Sequence, residues 1–356
     1  MQALLSAFAV AFLLSGLTAL PLRWAVLRLG VIDRPNERSN HHFPTPRGGG
    51  LAILLGATAT VVWLIPVSLV TLRIGLPVMA VAAISLLDDF RSLSFKTRLA
   101  VQTAAAVTVV VGLDVPVRSL GLPGLAPVLP RLVGMGLAIL FIVANCNFYN
   151  FMDGINGLAA GQSALVAATL SVLLWGSGCE GACIVAAAVC GAAAGFLPHN
   201  FPAARIFMGD VGSVTLGFVL GVLSQVAHAR GGVNWVAVIL VHAAFLFDAV
   251  FTLLKRAWRG EAIVKPHREH NYQLLVRSGW SHATVTFIVL FFSAGCCAAA
   301  CIFARVDEWA RWVTLLGPAA VFAGYAGMAH ARAMPAGQPS GPDSRKADGG
   351  TCDSFC

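Results

Sequence analysis

Four polar segments interrupt an otherwise apolar chain, and each carries side chains that can handle a metal ion or a phosphate. Asp88 and Asp89 stand together in SLLDDFRSLSFKTR. At a helix C-terminus adjacent carboxylates oppose the dipole and repel each other. They read either as a solvated helix end partnered by Arg91 or as an acid pair for metal or phosphate. NCNFYNFMDGINGLAAG places Asn147, Asn150 and Asp153 three apart, on one face of a helix extended from the preceding apolar run. Asp153-Gly154 breaks that helix, and Asn156-Gly157 leads into the next. A turn needs only two such residues, whereas this stripe is longer than two helical turns. In HNFPAARIFMGDVGSVTLG, residues Gly209, Asp210, Gly212 and Ser213 open a helix whose N-terminal amides suit an anion. Asp210 would repel a bare anion, so an acid here implies metal-bound phosphate. The alternative is a plain N-cap by Asp210 or Ser213. The fourth segment holds Asp248 within an apolar run, with Lys255 or Arg256 as a partner of structural kind. After it come Lys265, His267, Arg268 and His270, a basic loop suited to phosphate. H-x-x-H suggests zinc, but no further His or Cys pair completes a site. A fifth stretch, residues 33–50, adds Arg38, His41, His42 and Arg47.

The elements that must position these groups follow from composition. Of 356 residues, 58% are hydrophobic and 11% charged, against roughly 25% charged in soluble domains. That leaves too little polar surface for a water-soluble globule and excludes a cytosolic enzyme, a secreted domain and a disordered chain. Apolar runs long enough to cross a bilayer as helix recur at 2–20, 49–70, 74–89, 99–113, 131–148, 155–175, 182–198, 211–229, 234–254, 282–304 and 309–330. The expected fold is all-α, a polytopic membrane bundle of about eleven spans. The break between the second and third is crowded by Pro66, Arg73 and Pro77. With the N-terminus outside and the C-terminus in the cytoplasm, 18 of the 24 Lys and Arg residues fall on the cytoplasmic side, the bias such proteins show. The net charge of +8 then reports topology and not nucleic acid. All the polar segments share that cytoplasmic face. The first run lacks a basic leader, which reads as an anchor and not a removed signal. Cysteines in or beside apolar runs read as packing residues. Residues 1–332 form the membrane domain, and 333–356, rich in Pro, Gly, Ser and Asp, a disordered tail. Acids for a divalent cation, basic groups for phosphates and a glycine turn at one interface suit phosphoryl transfer between a soluble nucleotide and a lipid. A secondary transporter is the competing class, but transporters place their sites near the midplane in repeated halves, and no internal repeat is seen.

LLDDFRSLS, NFYNFMDGINGLAAG, FMGDVGS and PHREHNYQ, in this order, resemble the polyprenyl-phosphate N-acetylhexosamine-1-phosphate transferases, glycosyltransferase family 4. The likeness runs from about residue 33 to 275. The eleven-span layout is similar to the O-antigen branch, which is related to the phospho-N-acetylmuramoyl-pentapeptide transferase. The resemblance implies transfer of sugar-1-phosphate from a UDP-sugar to undecaprenyl phosphate with release of UMP. It also implies a multi-pass enzyme of the bacterial inner membrane with a cytoplasmic cleft, often a homodimer. By motif, Asp210 resembles the Mg2+ ligand, with Mn2+ as a substitute. Asp88 and Asp89 match acids near the lipid phosphate, and Asp153 the acid of the asparagine helix. Phe207 resembles the residue that stacks on uracil. Asn147, Asn150, Asn156 and Asn200 fall to nucleoside contacts, and Arg47, Gly209, Gly212, Ser213, His267, Arg268 and His270 to phosphates. Asp248 stays structural or unassigned. The family often has a second acid where Asn156 stands, so altered contacts are expected there. The PHREHNYQ loop is closest in character to enzymes using UDP-N-acetylfucosamine or UDP-N-acetylquinovosamine, with UDP-N-acetylglucosamine next.

Overall fold

A computed structural model describes residues 1–33, 44–124, 127–262 and 267–333. Arg38, His41, His42, Lys265 and the expected tail from 334 onward lie outside the described residues. The chain is an all-α membrane bundle. Its long helices are α1 (Gln2–Arg28), α2 (Gly50–Leu64), α3 (Leu69–Arg91), α4 (Phe95–Leu113), α5 (Arg131–Phe151), α6 (Leu158–Leu174), α7 (Glu180–Asn200), α8 (Asp210–Ala229) and α9 (Trp235–Trp258). After the short α10 (Asn271–Arg277) come α11 (His282–Phe303) and α12 (Glu308–Ala333). Each expected span coincides with one long helix, whereas α10 was not foreseen. Eight of the helices are long and apolar enough to cross a bilayer; α2 and α6 are shorter apolar helices, and α4 carries Lys96, Arg98 and Gln102. Two short antiparallel strands, β1 (Ile32–Asp33) and β2 (Thr45–Pro46), precede α2.

The break between α2 and α3 falls at Ile65–Ser68, around Pro66 as expected, and Arg73 and Pro77 lie beyond it in α3. Ser68 and Thr71 form a reciprocal capping box that fixes the start of α3. Arg73 is therefore helical, and its Nη1 donates to the Gly112 carbonyl at 2.7 Å.

At the centre lies α8, buried along nearly its whole length. With lipid outside and no hydrophobic force between helices, close packing by small residues holds such bundles together. A Cβ on Gly217 would come within 2.4 Å of the Asn145 carbonyl on α5, and one on Gly50 within 2.2 Å of the Gly212 Cα. Gly191 and Gly195 likewise let α7 rest on the α1 backbone, 2.1 and 2.2 Å from the Phe8 and Phe12 carbonyls by the same measure. The contact of Gly50 with Gly212 places Arg47, just before α2, at the N-terminus of α8.

Candidate active site

Three helix ends meet at one end of the bundle: the start of α2, the end of α3 and the start of α8. Asp89 sits in the last turn of α3 with a side chain 1% exposed. Its Oδ1 accepts from the Asp210 amide at 2.9 Å, and its Oδ2 from the Val211 amide at 3.0 Å. Arg47 Nε adds a third contact to Oδ1 at 2.8 Å. The first amides of α8, expected to face a phosphate, are thus held by a carboxylate of the chain itself, as the helix dipole favours. Gly209 precedes α8 with φ of 75°, a left-handed conformation costly for other residues. A Cβ there would also lie 2.8 Å from Asp89 Oδ2.

Asp210 projects between two arginines. Arg47 Nη2 pairs with its Oδ1, and Arg98 Nη1 reaches its Oδ2 at 3.2 Å. Arg98 Nη1 also pairs with Asp88 Oδ2 at 2.6 Å, while Asp88 Oδ1 accepts from the Leu93 amide. In the sequence Arg98 is one of the 18 basic residues on the expected cytoplasmic side. Its role rests on pairing with Asp210 across 112 residues, which no local pattern shows.

Asp153 lies just past α5, whose last helical residue is Phe151, so the expected stripe splits. Asn147 and Asn150 are on the helix, and Asp153 is on the turn after it. Burial holds its carboxyl well above the usual carboxylate range; Arg47 opposes this, and the charges of Asp210 and Asp89 reinforce it. Burial works against the Arg47 guanidinium too, but Asp210 and Asp89 more than offset that and raise its pKa.

A second cluster surrounds α10. Asp248, fully buried on α9, caps this helix. Its Oδ1 accepts from the Asn271 amide at 2.9 Å, and its Oδ2 from the Tyr272 amide at 3.3 Å and the Tyr325 hydroxyl at 3.0 Å. The partners suggested for it, Lys255 and Arg256, are engaged elsewhere. Lys255 Nζ meets His330 at 2.6 Å, and Arg256 pairs with Glu261 and Glu269. A backbone cap at the end of a sequence-distant loop explains Asp248 better than a cation one turn away. Arg259 pairs with the same two glutamates, so the loop carrying His267, Arg268 and His270 is clamped at both ends. The His267 and His270 rings lie 4.9 Å apart. Burial, with His270 and Arg256 nearby, lowers His267 to about 4, so its imidazole is neutral near pH 7. Tyr272 donates to the Phe151 carbonyl at 2.8 Å, tying α10 to the end of α5. Asp153 interacts electrostatically with Arg47 and Asp210 on one side and Tyr272 on the other. The two clusters therefore share one region.

Comparison with known proteins decides what such a region belongs to. A family model described as glycosyl transferase family 4 matches residues 71–228. A decaprenyl-phosphate N-acetylglucosaminephosphotransferase of Mycolicibacterium smegmatis is 33% identical over 300 residues, covering 75% of this chain and 74% of that protein. The chain belongs to glycosyl transferase family 4. The relatives' names agree with the polyprenyl-phosphate N-acetylhexosamine-1-phosphate transferase family that the four motifs led one to expect. A probable undecaprenyl-phosphate N-acetylglucosaminyl 1-phosphate transferase of Bacillus subtilis is 30% identical, covering 79% of this chain and 80% of that protein. An undecaprenyl-phosphate alpha-N-acetylglucosaminyl 1-phosphate transferase of Escherichia coli is 28% identical, with 86% of each covered. Nothing among these supports the transporter alternative.

In this transferase the remaining motif residues take varied places. Asn150 donates to Ser213 Oγ at 3.3 Å and lies within reach of the Asp210 carboxylate. Asn147 donates to Gln102 Oε1 at 2.9 Å. Asn200 is buried and braces loops: it accepts from the Gly157 amide at 2.8 Å and donates to the Ile206 carbonyl at 3.0 Å. Asn156 donates to the Pro202 carbonyl at 3.0 Å. Phe207 is half-buried beside Arg47, and its carbonyl accepts from the Gly49 amide at 2.8 Å. Gly212 serves the contact with Gly50, and buried Ser213 donates to the Gly209 carbonyl at 3.2 Å. Among the described residues, no three His, Cys, Asp or Glu side chains converge on a metal position.

Proposed function

We propose that this transferase moves N-acetylhexosamine-1-phosphate from a UDP-sugar to undecaprenyl phosphate, releasing UMP. The observation that carries the reading is Asp210, set between Arg47 and Arg98 with Asp88, Asp89 and Asp153 around it. The donor set fits Mg2+, which takes one or two carboxylates plus phosphate oxygens and needs no closed protein cage. Asp210 would hold it, with Asp88 beside it, and the three acids Asp88, Asp89 and Asp210 against the two arginines Arg47 and Arg98 leave net negative charge for a cation to neutralise. When bound, the cation would neutralise charge on the departing UMP phosphate.

The lipid phosphate has a second pKa near ~6, so it is largely dianionic and needs no strong base. Its oxygen attacks the β-phosphorus of the donor, forming the new P–O bond as the bond to the bridging oxygen of UMP breaks. Asp88 orients that phosphate, and Arg47 stabilises charge on the transferred group. His267, Arg268 and His270 hydrogen-bond the diphosphate, with His267 acting as a neutral donor. Asp153, whose carboxyl burial holds well above the usual carboxylate range, gives a hydrogen bond to the donor. Phe207 and the half-buried amides of Asn147, Asn150 and Asn156 face the nucleoside. The bias of basic residues supports a site facing the cytoplasm, where nucleotide sugars reside, and the bacterial relatives support a bacterial inner membrane. The N-acetylglucosamine in the relatives' names favours UDP-N-acetylglucosamine over the two 6-deoxy donors that the loop suggested.

Membranes incubated with Mg2+, undecaprenyl phosphate and UDP-N-acetylglucosamine labelled with ³²P in the β-phosphate test this. Labelled, EDTA-sensitive lipid is expected, and a donor panel read by mass spectrometry identifies the sugar. Asp210→Asn should cut turnover about a hundredfold or more. Wild-type activity in that variant would end the metal assignment.

A further inference from the structure

We infer that a membrane phospholipid occupies the cavity between α2, α3, α7 and α8, with an acyl chain inside and its phosphate on Arg73 and Arg230. These arginines lie at the end of the bundle opposite Asp88 and Asp89, at the far end of α3. The site is therefore separate from the candidate active site.

The packing of consecutive helices leaves the space. Helix α2 lies on α1, α7 and α8, and α3 lies on α4 and α8. Between them runs a cavity of about 570 Å³, within the size range of small-molecule sites. Its walls are almost wholly apolar, with Val78 of α3, Val185 of α7 and Val219 of α8 among them. Val62, Leu72 and Met79 also belong to the wall and are exposed, so the cavity opens sideways into lipid. Leu216 and Arg230 line it 14 residues apart at either end of α8, a length of about 21 Å. That exceeds half of a ~30 Å hydrocarbon layer, the depth that one acyl chain fills. Gly75 of α3 and Gly181 of α7 line it too, and a Cβ on either meets nothing within 4 Å. Gly50, Gly191, Gly195 and Gly217 bring helices together, whereas these two widen a gap.

The mouth of the cavity carries charge. Arg230 lines it, and Arg73 stands between Leu72 and Ile74, which line it as well. Arg73 Nη1 donates to the Gly112 carbonyl at 2.7 Å, and Arg230 Nη2 to the Leu113 carbonyl at 2.6 Å. Adjacent carbonyls at the end of α4 thus set two guanidinium groups side by side, where like charges repel. Both residues are exposed, and among the described residues neither belongs to an ion pair. Asp114, the residue after Leu113, is taken by Arg131 at 2.8 Å. Glu180 also lines the mouth but pairs with neither arginine. An anion between the two relieves the repulsion, and a guanidinium fork matches the paired oxygens of a phosphate. Basic pockets between membrane helices bind phospholipid head groups in the same way. The phosphate of the acceptor lipid has to reach the acids at the other end of the bundle, so the headgroup held here is that of a resident phospholipid.

Full-length protein in detergent, stripped of lipid and titrated with phosphatidylglycerol, is followed by native mass spectrometry and thermal melting. Wild type should bind one molecule per chain in preference to diacylglycerol, which lacks the phosphate, and its melting temperature should rise. The double variant Arg73→Ala/Arg230→Ala should weaken that binding about tenfold to a hundredfold. Gly75→Phe fills the cavity from a position with open space, so without lipid it should melt as wild type does. It should nevertheless bind no phosphatidylglycerol there and gain no melting temperature from it. Binding at wild-type strength in either variant, or a wild type that does not prefer phosphatidylglycerol to diacylglycerol, overturns the inference. Undecaprenyl phosphate replacing the phospholipid one for one also overturns it and assigns the cavity to the acceptor chain. A dimer that Gly75→Phe dissociates without loss of lipid does so too, and assigns the face to a second copy.

Discussion

Replacing each of the adjacent acids with its amide should separate a structural carboxylate from a chemical one. In Asp89→Asn, one oxygen that accepts from the α8 amides or from Arg47 becomes a donor facing donors. The three contacts at stake are 2.8 Å to Arg47 and 2.9 and 3.0 Å to the amides of Asp210 and Val211, around a side chain 1% exposed. Hydrogen bonds to a charged group contribute about 1.5–3 kcal/mol each, and breaking a buried ion pair from one side costs about 3–5 kcal/mol. A loss of about 3 kcal/mol or more is therefore expected, with Arg47 and Asp210 shifted as a result. Asp88→Asn also gives up an arginine contact, but its remaining oxygen still accepts from Leu93. Its partner, Arg98, is also partly exposed. Thermal melting of the purified protein in detergent, run beside turnover, should show Asp89→Asn melting several degrees low. Asp88→Asn should melt near wild type yet turn over poorly. If Asp89→Asn melts as wild type while turnover alone falls, the helix-capping account of Asp89 is wrong.

Three further outcomes follow from the same geometry. Asp153 is held above its unfolded carboxylate pKa, so the native state keeps its proton longer than the unfolded chain does, and this group costs stability as pH rises. Asp153→Asn should accordingly melt no lower than wild type at pH 7.5 while losing turnover; a clear drop in melting temperature contradicts the assignment. His267, lowered to about 4, costs stability as pH falls from 6.5 towards 4, because the unfolded chain takes up the proton first. Melting temperature should fall across that window less steeply in His267→Gln than in wild type, and identical slopes would refute the shift. Gly50→Ala sets a methyl 2.2 Å from the Gly212 backbone, where no side chain can yield. A cost of about 1–3 kcal/mol or more, seen as lower melting or loss of folded protein from the membrane, is expected.

The membrane class and the positions of all eleven long helices were legible in the sequence, because hydropathy is a local sum and a bilayer demands runs of one length. Helix ends were less so. The break contains Pro66, but α3 starts earlier than its apolar run because the Ser68–Thr71 capping box, and not Arg73 or Pro77, sets the start. The short α10 escaped notice because seven residues carry little periodicity, and it stands on a distant carboxylate. The acids of the site could be picked out by type, since charged groups in so apolar a chain are few.

What each acid does was decided by tertiary structure. In sequence Asp88 and Asp89 are indistinguishable neighbours, yet successive helical residues point about 100° apart. One therefore meets the α8 amides and the other meets Arg98. Arg98 looked like a topology charge until folding brought Asp210 to it from 112 positions away. Asp248, for which Lys255 or Arg256 was the suggested partner, found two amides and a tyrosine instead of either. Composition and spacing fix which side chains exist and which helices carry them, because those are properties of short stretches. Partners, burial and protonation depend on which helix ends meet, and only the packed bundle sets that.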